Sequence, residues 1–283
     1  MWLLSSGLLT LCIKHLPEEL RMSQTDSILL ERRGAVGLLT INRPKTLNAL
    51  DIPTVLELEQ KFIELEQDAS IRVIVFTGAG ERAFVAGGDI ADLNSRQGLD
   101  HYQVFAEVIH RAFRRFEDSD KPTIAAVNGW ALGGGTELIL ALDLRIVADN
   151  AKLGLPEINL GLFPGAGGTQ RIIRQVPLCR AKEIMFTGDQ ITAAQAVEIG
   201  LCNRTVPAAD LMGEVMALAE KIATKSPLVL KLLKRTLRQG SEMPLGAALA
   251  HEQAMIGLVL DTQDSHEGCQ AFLEKRPAKF QGI

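Results

Sequence analysis

Aromatic side chains are scarce in this sequence: they make up 5% of its 283 residues, with a single tyrosine. That disfavours a carbohydrate-cleaving site, which needs sugar-stacking rings beside its paired carboxylates. Charge of one sign is lacking too. Thirty Lys and Arg stand against 34 Asp and Glu, for a net charge of −4, so nothing resembles the basic footprint that a phosphate backbone demands, and no nucleic-acid partner is expected. The four cysteines, Cys12, Cys179, Cys202 and Cys269, form no CxxC pair. In a chain of this length they read as reduced, buried thiols of a cytosol-like compartment, so a cytoplasmic location is expected.

Metal and hydrolase signatures are missing as well. His251-Glu252 and His266-Glu267 each begin an HExxH pattern, but Met255 and Gln270 stand where the second imidazole belongs. No metal site is expected, and there is no GxSxG elbow. The one long apolar run, Trp2 to Ile13, falls short of the about 20 residues that span a bilayer. No basic segment precedes it and no cleavage site follows, so no membrane partner is expected. Met22 opens a polar stretch before the first strand-like run, and residues 1–21 are expected to lie outside the fold.

What is present is a globular balance, 47% hydrophobic and 23% charged. Strands are expected at Ile28 to Glu31 and Ala35 to Ile41 around Arg33-Gly34, then at Arg72 to Phe76, Thr123 to Val127 and Leu144 to Val147. Asp51 caps a helix with Val55, Leu58, Phe62 and Leu65 on one stripe. A second helical pattern covers His101 to Phe116. The later chain is helical: Thr192 and Gln195 form a capping box with Gly200 at the C-cap. Leu211, Val215, Leu218 and Ile222 keep helical spacing, Ser226-Pro227 opens a helix ended by Gly240, and two more run to about Phe272. The order is an α/β core followed by helices.

Gly78-Ala79-Gly80-Glu81-Arg82-Ala83 matches a dinucleotide fingerprint by spelling only. The glycines Gly87 and Gly88 stand where its helix must propagate, so no dinucleotide site is expected. Two other clusters carry more weight: Ala86-Gly87-Gly88-Asp89-Ile90, and Gly133-Gly134-Gly135-Thr136-Glu137 after the strand at Thr123 to Val127. Glycines at a strand-to-helix junction bring backbone close to a ligand and leave amides free to donate, at the positive end of a helix dipole. One cluster alone is more readily a packing device. Two clusters, each followed by a carboxylate, point to a site. Glu137 lies inside an otherwise apolar helix, where burial raises a carboxyl pKa toward the range of a general acid or base. Glu157 follows in Leu155-Pro156-Glu157, and taken alone would be a surface loop residue.

Several segments together resemble the crotonase (enoyl-CoA hydratase/isomerase) family. They are Arg43-Pro44 with Leu47-Asn48-Ala49-Leu50, Phe84 to Asp89, Lys121 to Glu137, Leu155-Pro156-Glu157, Pro164 to Arg171, and Ala271 to Pro277. The resemblance implies an α/β fold with a crotonase-like ββα spiral catalytic core over residues 22–207 and a C-terminal helical oligomerisation region over 208–283. It also implies a homotrimer or homohexamer. By the same resemblance Gly88 and Gly134 supply an oxyanion hole for a thioester carbonyl, and Glu137 and Glu157 are the catalytic pair. Lys45, Ala49, Ala86, Gly88, Asp89, Ile90 and Ala91 bind the substrate and its CoA. The expected substrate is an acyl-CoA thioester, with no cofactor beyond the CoA it carries, and both glutamates favour hydration of a trans-2-enoyl-CoA. The rival readings are isomerase, decarboxylase or hydrolase activity of the same family, and, more distantly, a non-catalytic RNA-binding member.

Overall fold

The computed structural model describes residues 26–283; the extension expected at residues 1–21 lies outside them, as does Cys12. The described chain opens with an antiparallel hairpin, β1 (Ile28–Arg33) and β2 (Val36–Ile41). Helix α1 (Ile52–Gln67) follows, and its cap is Asp51, which accepts the Thr54 N–H at 2.8 Å. Three passes of chain then repeat one plan, a strand in a large sheet, a short strand in a second sheet, and a helical return. The first pass is β3 (Val73–Gly78), β4 (Ala83–Val85), α2 (Ile90–Asn94) and α3 (Glu107–Asp118). The second is β5 (Thr123–Val127), β6 (Trp130–Leu132) and α4 (Gly134–Leu140), and the third is β7 (Leu144–Ala148), β8 (Lys152–Gly154) and the 3-10 turn Pro156–Leu160. This is the ββα spiral.

The core is completed by α5 (Gly168–Ile172), α6 (Leu178–Thr187), β9 (Ile191–Thr192), α7 (Ala193–Glu198) and β10 (Arg204–Val206). Four helices end the chain: α8 (Leu211–Ala223), α9 (Pro227–Gly240), α10 (Leu245–Leu260) and α11 (Gln263–Leu273). The large sheet has the order β1-β2-β3-β5-β7-β10, parallel except for β1. The second runs β4-β6-β8-β9, with β9 antiparallel.

Both faces of the inner strands β2, β3 and β5 are buried, which is why they read as unbroken apolar runs. Within β3, Ile74 and Phe76 enter one core with Phe62, Phe113 and Phe116. Val73 and Val75 enter the other, against Leu211, Val215 and Ala219 of α8. The two-residue alternation of a strand thus feeds two layers at once. Helices α9 and α10 bury no residue within the chain. Helix α9 is instead tied to the core by ion pairs, Lys234 with Asp143 and both Lys231 and Arg235 with Asp120, each at 2.7 Å. No described helix is long and apolar enough to cross a membrane.

Several expectations need correction. The second sheet was not foreseen, because strands of three residues amid glycines carry no readable alternation. His101–Ala106 forms a π-helical turn, and α3 then extends to Asp118 rather than stopping at Phe116. Helix α9 does end at Gly240, as expected, with Ser241 at its C-cap. Of the described cysteines only Cys202 is buried; Cys179 and Cys269 are exposed on the single chain. Cys179 lies in the first turn of α6 and Cys269 in α11, each on an outward helical face that a small thiol occupies without cost.

Candidate active site

The spelling Gly78 to Ala83 opens no helix; the chain turns at Gly80 and enters β4. The cluster that does open a helix is at α4. Gly133, its N-cap, has φ of 51° and ψ of −121°, a conformation in which a Cβ is strained. A Cβ on Gly135 would lie 2.0 Å from the Val85 carbonyl oxygen, so the first turn of α4 sits directly on β4. Thr136 fastens that turn to the second sheet: its hydroxyl donates to Ala131 O at 2.6 Å and accepts from Gly154 N at 3.2 Å.

The other glycine loop is stitched to the segment after β2. Leu50 N donates to Gly87 O at 2.9 Å, Asp89 N donates to Leu50 O at 2.8 Å, and Ala86 N donates to Leu47 O at 3.1 Å. Asp89 then caps α2 by accepting from Ala91 N and Asp92 N. These bonds leave Gly88 N with no acceptor among the described residues, and Gly134 N, in the first turn of α4, has none either. A Cβ on Gly134 would lie 3.4 Å from Gly88 N. Two amides without a partner therefore lie close together.

Both glutamates are drawn in beside them. Glu137, on α4, is 3% exposed. Its Oε1 accepts two backbone N–H groups, from Ala166 at 2.7 Å and Gly168 at 2.8 Å. Burial pushes its pKa up, while those two amides and the charge of Arg171 pull it back. Glu157 lies in the Pro156–Leu160 turn, against the start of α4: a Cβ on Gly133 would stand 3.1 Å from its Oε1. Its Oε2 is buried with no hydrogen-bond partner. Burial raises its pKa to about 7, and the Glu137 carboxylate adds to the rise.

The remaining expected residues divide. Ala49, Ala86, Gly88 and Asp89 belong to the stitched loop, and Ala49 O also accepts from Arg43 Nη1. Ile90 and Ala91 are exposed on the first turn of α2. Lys45 is exposed on the adjoining Pro44–Thr46 turn and lines a surface hollow of about 360 Å³ with Asn42, Arg43, Pro44 and Thr46. Sequence reasoning overlooked what holds this loop. Arg43 pairs with Asp51 at 2.6 Å and Asp89 at 3.3 Å. Asn48, fully buried with φ of 60°, accepts from Arg43 N and donates to Ala79 O and Ala83 O. A lone amide side chain amid Leu47, Ala49 and Leu50 was the available signal.

Within the ββα spiral, two amides without a partner thus lie near one buried and one half-buried carboxyl. The profile of the family described as Enoyl-CoA hydratase/isomerase matches residues 31–282, and the chain belongs to that family. It is 40% identical over 260 residues to the short-chain-enoyl-CoA hydratase of Clostridium acetobutylicum, covering 92% of this chain and 98% of that one. It is 41% identical over 255 residues to the crotonyl-CoA hydratase of Syntrophomonas wolfei, covering 90% and 98%. Among solved structures, an enoyl-CoA hydratase from Bacillus anthracis superposes with a TM-score of 0.88 at 38% identity, over 91% of this chain and all of that one, 100%.

Proposed function

We propose that this enzyme adds water across the 2,3 double bond of a trans-2-enoyl-CoA to give a 3-hydroxyacyl-CoA, in the degradation of fatty acids or related acyl-CoA compounds. The observation that carries the reading is the unequal hydrogen bonding of the two carboxyls. Glu137 receives two amide donors on one oxygen, which favours its charged form, whereas Glu157 keeps a buried oxygen without any donor, which favours its protonated form. One is arranged as a base and the other as an acid.

The atoms follow from that assignment. Glu137 takes a proton from water as the water oxygen bonds to Cβ. The π electrons move onto the thioester oxygen, where Gly88 N and Gly134 N receive the charge, and Glu157 delivers a proton to Cα. One such oxyanion donor is worth about 2.7–4 kcal/mol. Residues around Lys45, Ala49 and Ala86 to Ala91 would seat the CoA portion, and the chemistry asks for no cofactor beyond it. A cytoplasmic location and a homotrimer or homohexamer built on residues 208–283 belong to the same reading. Outward leucines such as Leu233, Leu237, Leu245 and Leu249 support it.

The test is hydration of crotonyl-CoA, followed through loss of the conjugated thioester's ultraviolet absorbance. Glu137→Gln and Glu157→Gln should each lower kcat by about 10²–10⁴-fold. Full turnover by either variant would remove that residue from the mechanism. A folded, CoA-binding protein that hydrates no enoyl-CoA would direct attention to isomerase, decarboxylase or hydrolase substrates.

A further inference from the structure

Arg171, in α5, is largely enclosed, its side chain 13% exposed. Its Nε and Nη2 donate to the two oxygens of Glu117, at the end of α3, at 3.2 and 2.8 Å, while Nη1 donates to Ala166 O at 3.1 Å. A planar guanidinium can hold a carboxylate on one edge and a carbonyl on another, which an ammonium cannot. It also lies against the turn itself: a Cβ on Gly167 would meet Arg171 Nη1 at 2.2 Å. That turn is the one whose Ala166 and Gly168 amides donate to Glu137 Oε1. Its carbonyl side is thus gripped by Arg171 and its amide side by Glu137.

We propose that Arg171, anchored by Glu117, is a positioning residue for Glu137. By fixing the Ala166–Gly168 turn it locks Oε1 between two amides and leaves Oε2, which no described residue bonds, to face the reacting water. This rests on the reading of Glu137 as the base. The cation also acts at a distance, because its charge favours the ionised form of Glu137 against the effect of burial. The charged groups facing Glu137 are Arg171 and Glu157. The strands packed on its helix, Ala83–Val85 and Trp130–Leu132, contribute no ionisable side chain.

The experiment compares the pH profiles of kcat and KM on crotonyl-CoA for the full-length wild type, Arg171→Gln, Arg171→Lys and Glu137→Gln. Arg171→Gln should lower kcat by up to about 10²-fold with little change in KM, as a small displacement of a catalytic group does. Its acid limb should move to higher pH, since a carboxylate that loses a cation holds its proton longer. Arg171→Lys keeps the charge and should recover the acid limb but not kcat, because it cannot grip Glu117 and Ala166 O together. Wild-type kcat and pH dependence in Arg171→Gln, with Glu137→Gln inactive, would overturn the role of Arg171 alone. Full activity in Glu137→Gln would overturn the reading of the base first and this role with it. Should circular dichroism show that Arg171→Gln does not fold, Arg171→Lys decides: wild-type kcat in it overturns the proposal.

Discussion

The helix that presents Glu137 and the turn that presents Glu157 are built on opposite plans. Glu137 is held from several sides: Gly135 seats its helix on Val85, Thr136 ties that helix to β6 and β8, and a distant turn lays two amides on Oε1. Glu157 is half-buried with a single donor, its own backbone N–H, and its Oε2 is left bare. Burial raises the pKa of both, so burial cannot by itself tell a base from an acid. The difference lies in what each carboxyl is offered once it is buried.

The comparison can be broken with a single methyl group on either side. An alanine at Gly168 would place its Cβ 2.7 Å from Glu137 Cγ and 2.8 Å from Oε1, forcing the carboxylate off its two amides. We expect Gly168→Ala to lower kcat by about 10²-fold. An alanine at Gly133 presses on Glu157 Oε1 from 3.1 Å, and it must also adopt φ of 51° with ψ of −121°, a strain of about 1–3 kcal/mol. Gly133→Ala should therefore cost stability in urea denaturation as well as a smaller share of kcat. Equal losses of kcat in the two variants would mean that the two carboxyls are equally exacting about position.

The next effect is one of pH. A carboxyl titrating at about 7 is a proton donor below that pH and not above it. So kcat/KM for hydration should fall as pH rises through about 7, and the residual activity of Glu157→Gln should lack that limb. Stability follows with a definite sign. The folded state holds the Glu157 proton up to about 7 while the unfolded chain releases it near 4.5, so stability declines as pH rises between those values. Glu157→Gln should flatten that decline.

Much of this site could be read in the sequence, for reasons that also mark where reading stopped. A carboxylate inside the apolar run after Gly133-Gly134-Gly135 has no reason to be there unless it is buried and used, so Glu137 announced itself. Glu157 did not; only the likeness of Leu155-Pro156-Glu157 to a family pattern raised it above a loop residue. The amides that distinguish the two glutamates come from Ala166 and Gly168, 29 and 31 residues beyond Glu137. Local periodicity cannot see partners that a fold brings from that far. Arg171 and Asn48 were missed for the same reason, since their bonds reach 54 residues back to Glu117 and 35 on to Ala83. The inner strands β2, β3 and β5 of the large sheet were legible because both of their faces are buried. β4, β6 and β8, three residues each, hold the glycine clusters in place yet leave no pattern of their own.

The mildest change tests whether Glu137 is positioned from one end of its helix or from both. At the far end of α4, Gln175 Nε2 donates to Leu140 O at 3.0 Å, while its own Oε1 is buried without a partner. Arg145 Nη1 donates to Ile139 O and Leu142 O at 3.1 Å, so that end keeps a second clamp. Gln175→Met would give up one hydrogen bond, worth about 1 kcal/mol, and at the same time remove an unsatisfied buried oxygen. The two terms oppose each other, and stability should change by less than about 1 kcal/mol. If Glu137 is held where its side chain meets the Ala166–Gly168 turn, kcat should not change measurably. A clear loss of kcat in a variant of unchanged stability would show that the helix transmits position along its length, and the amide pair at Oε1 would no longer suffice to explain how Glu137 is set apart from Glu157.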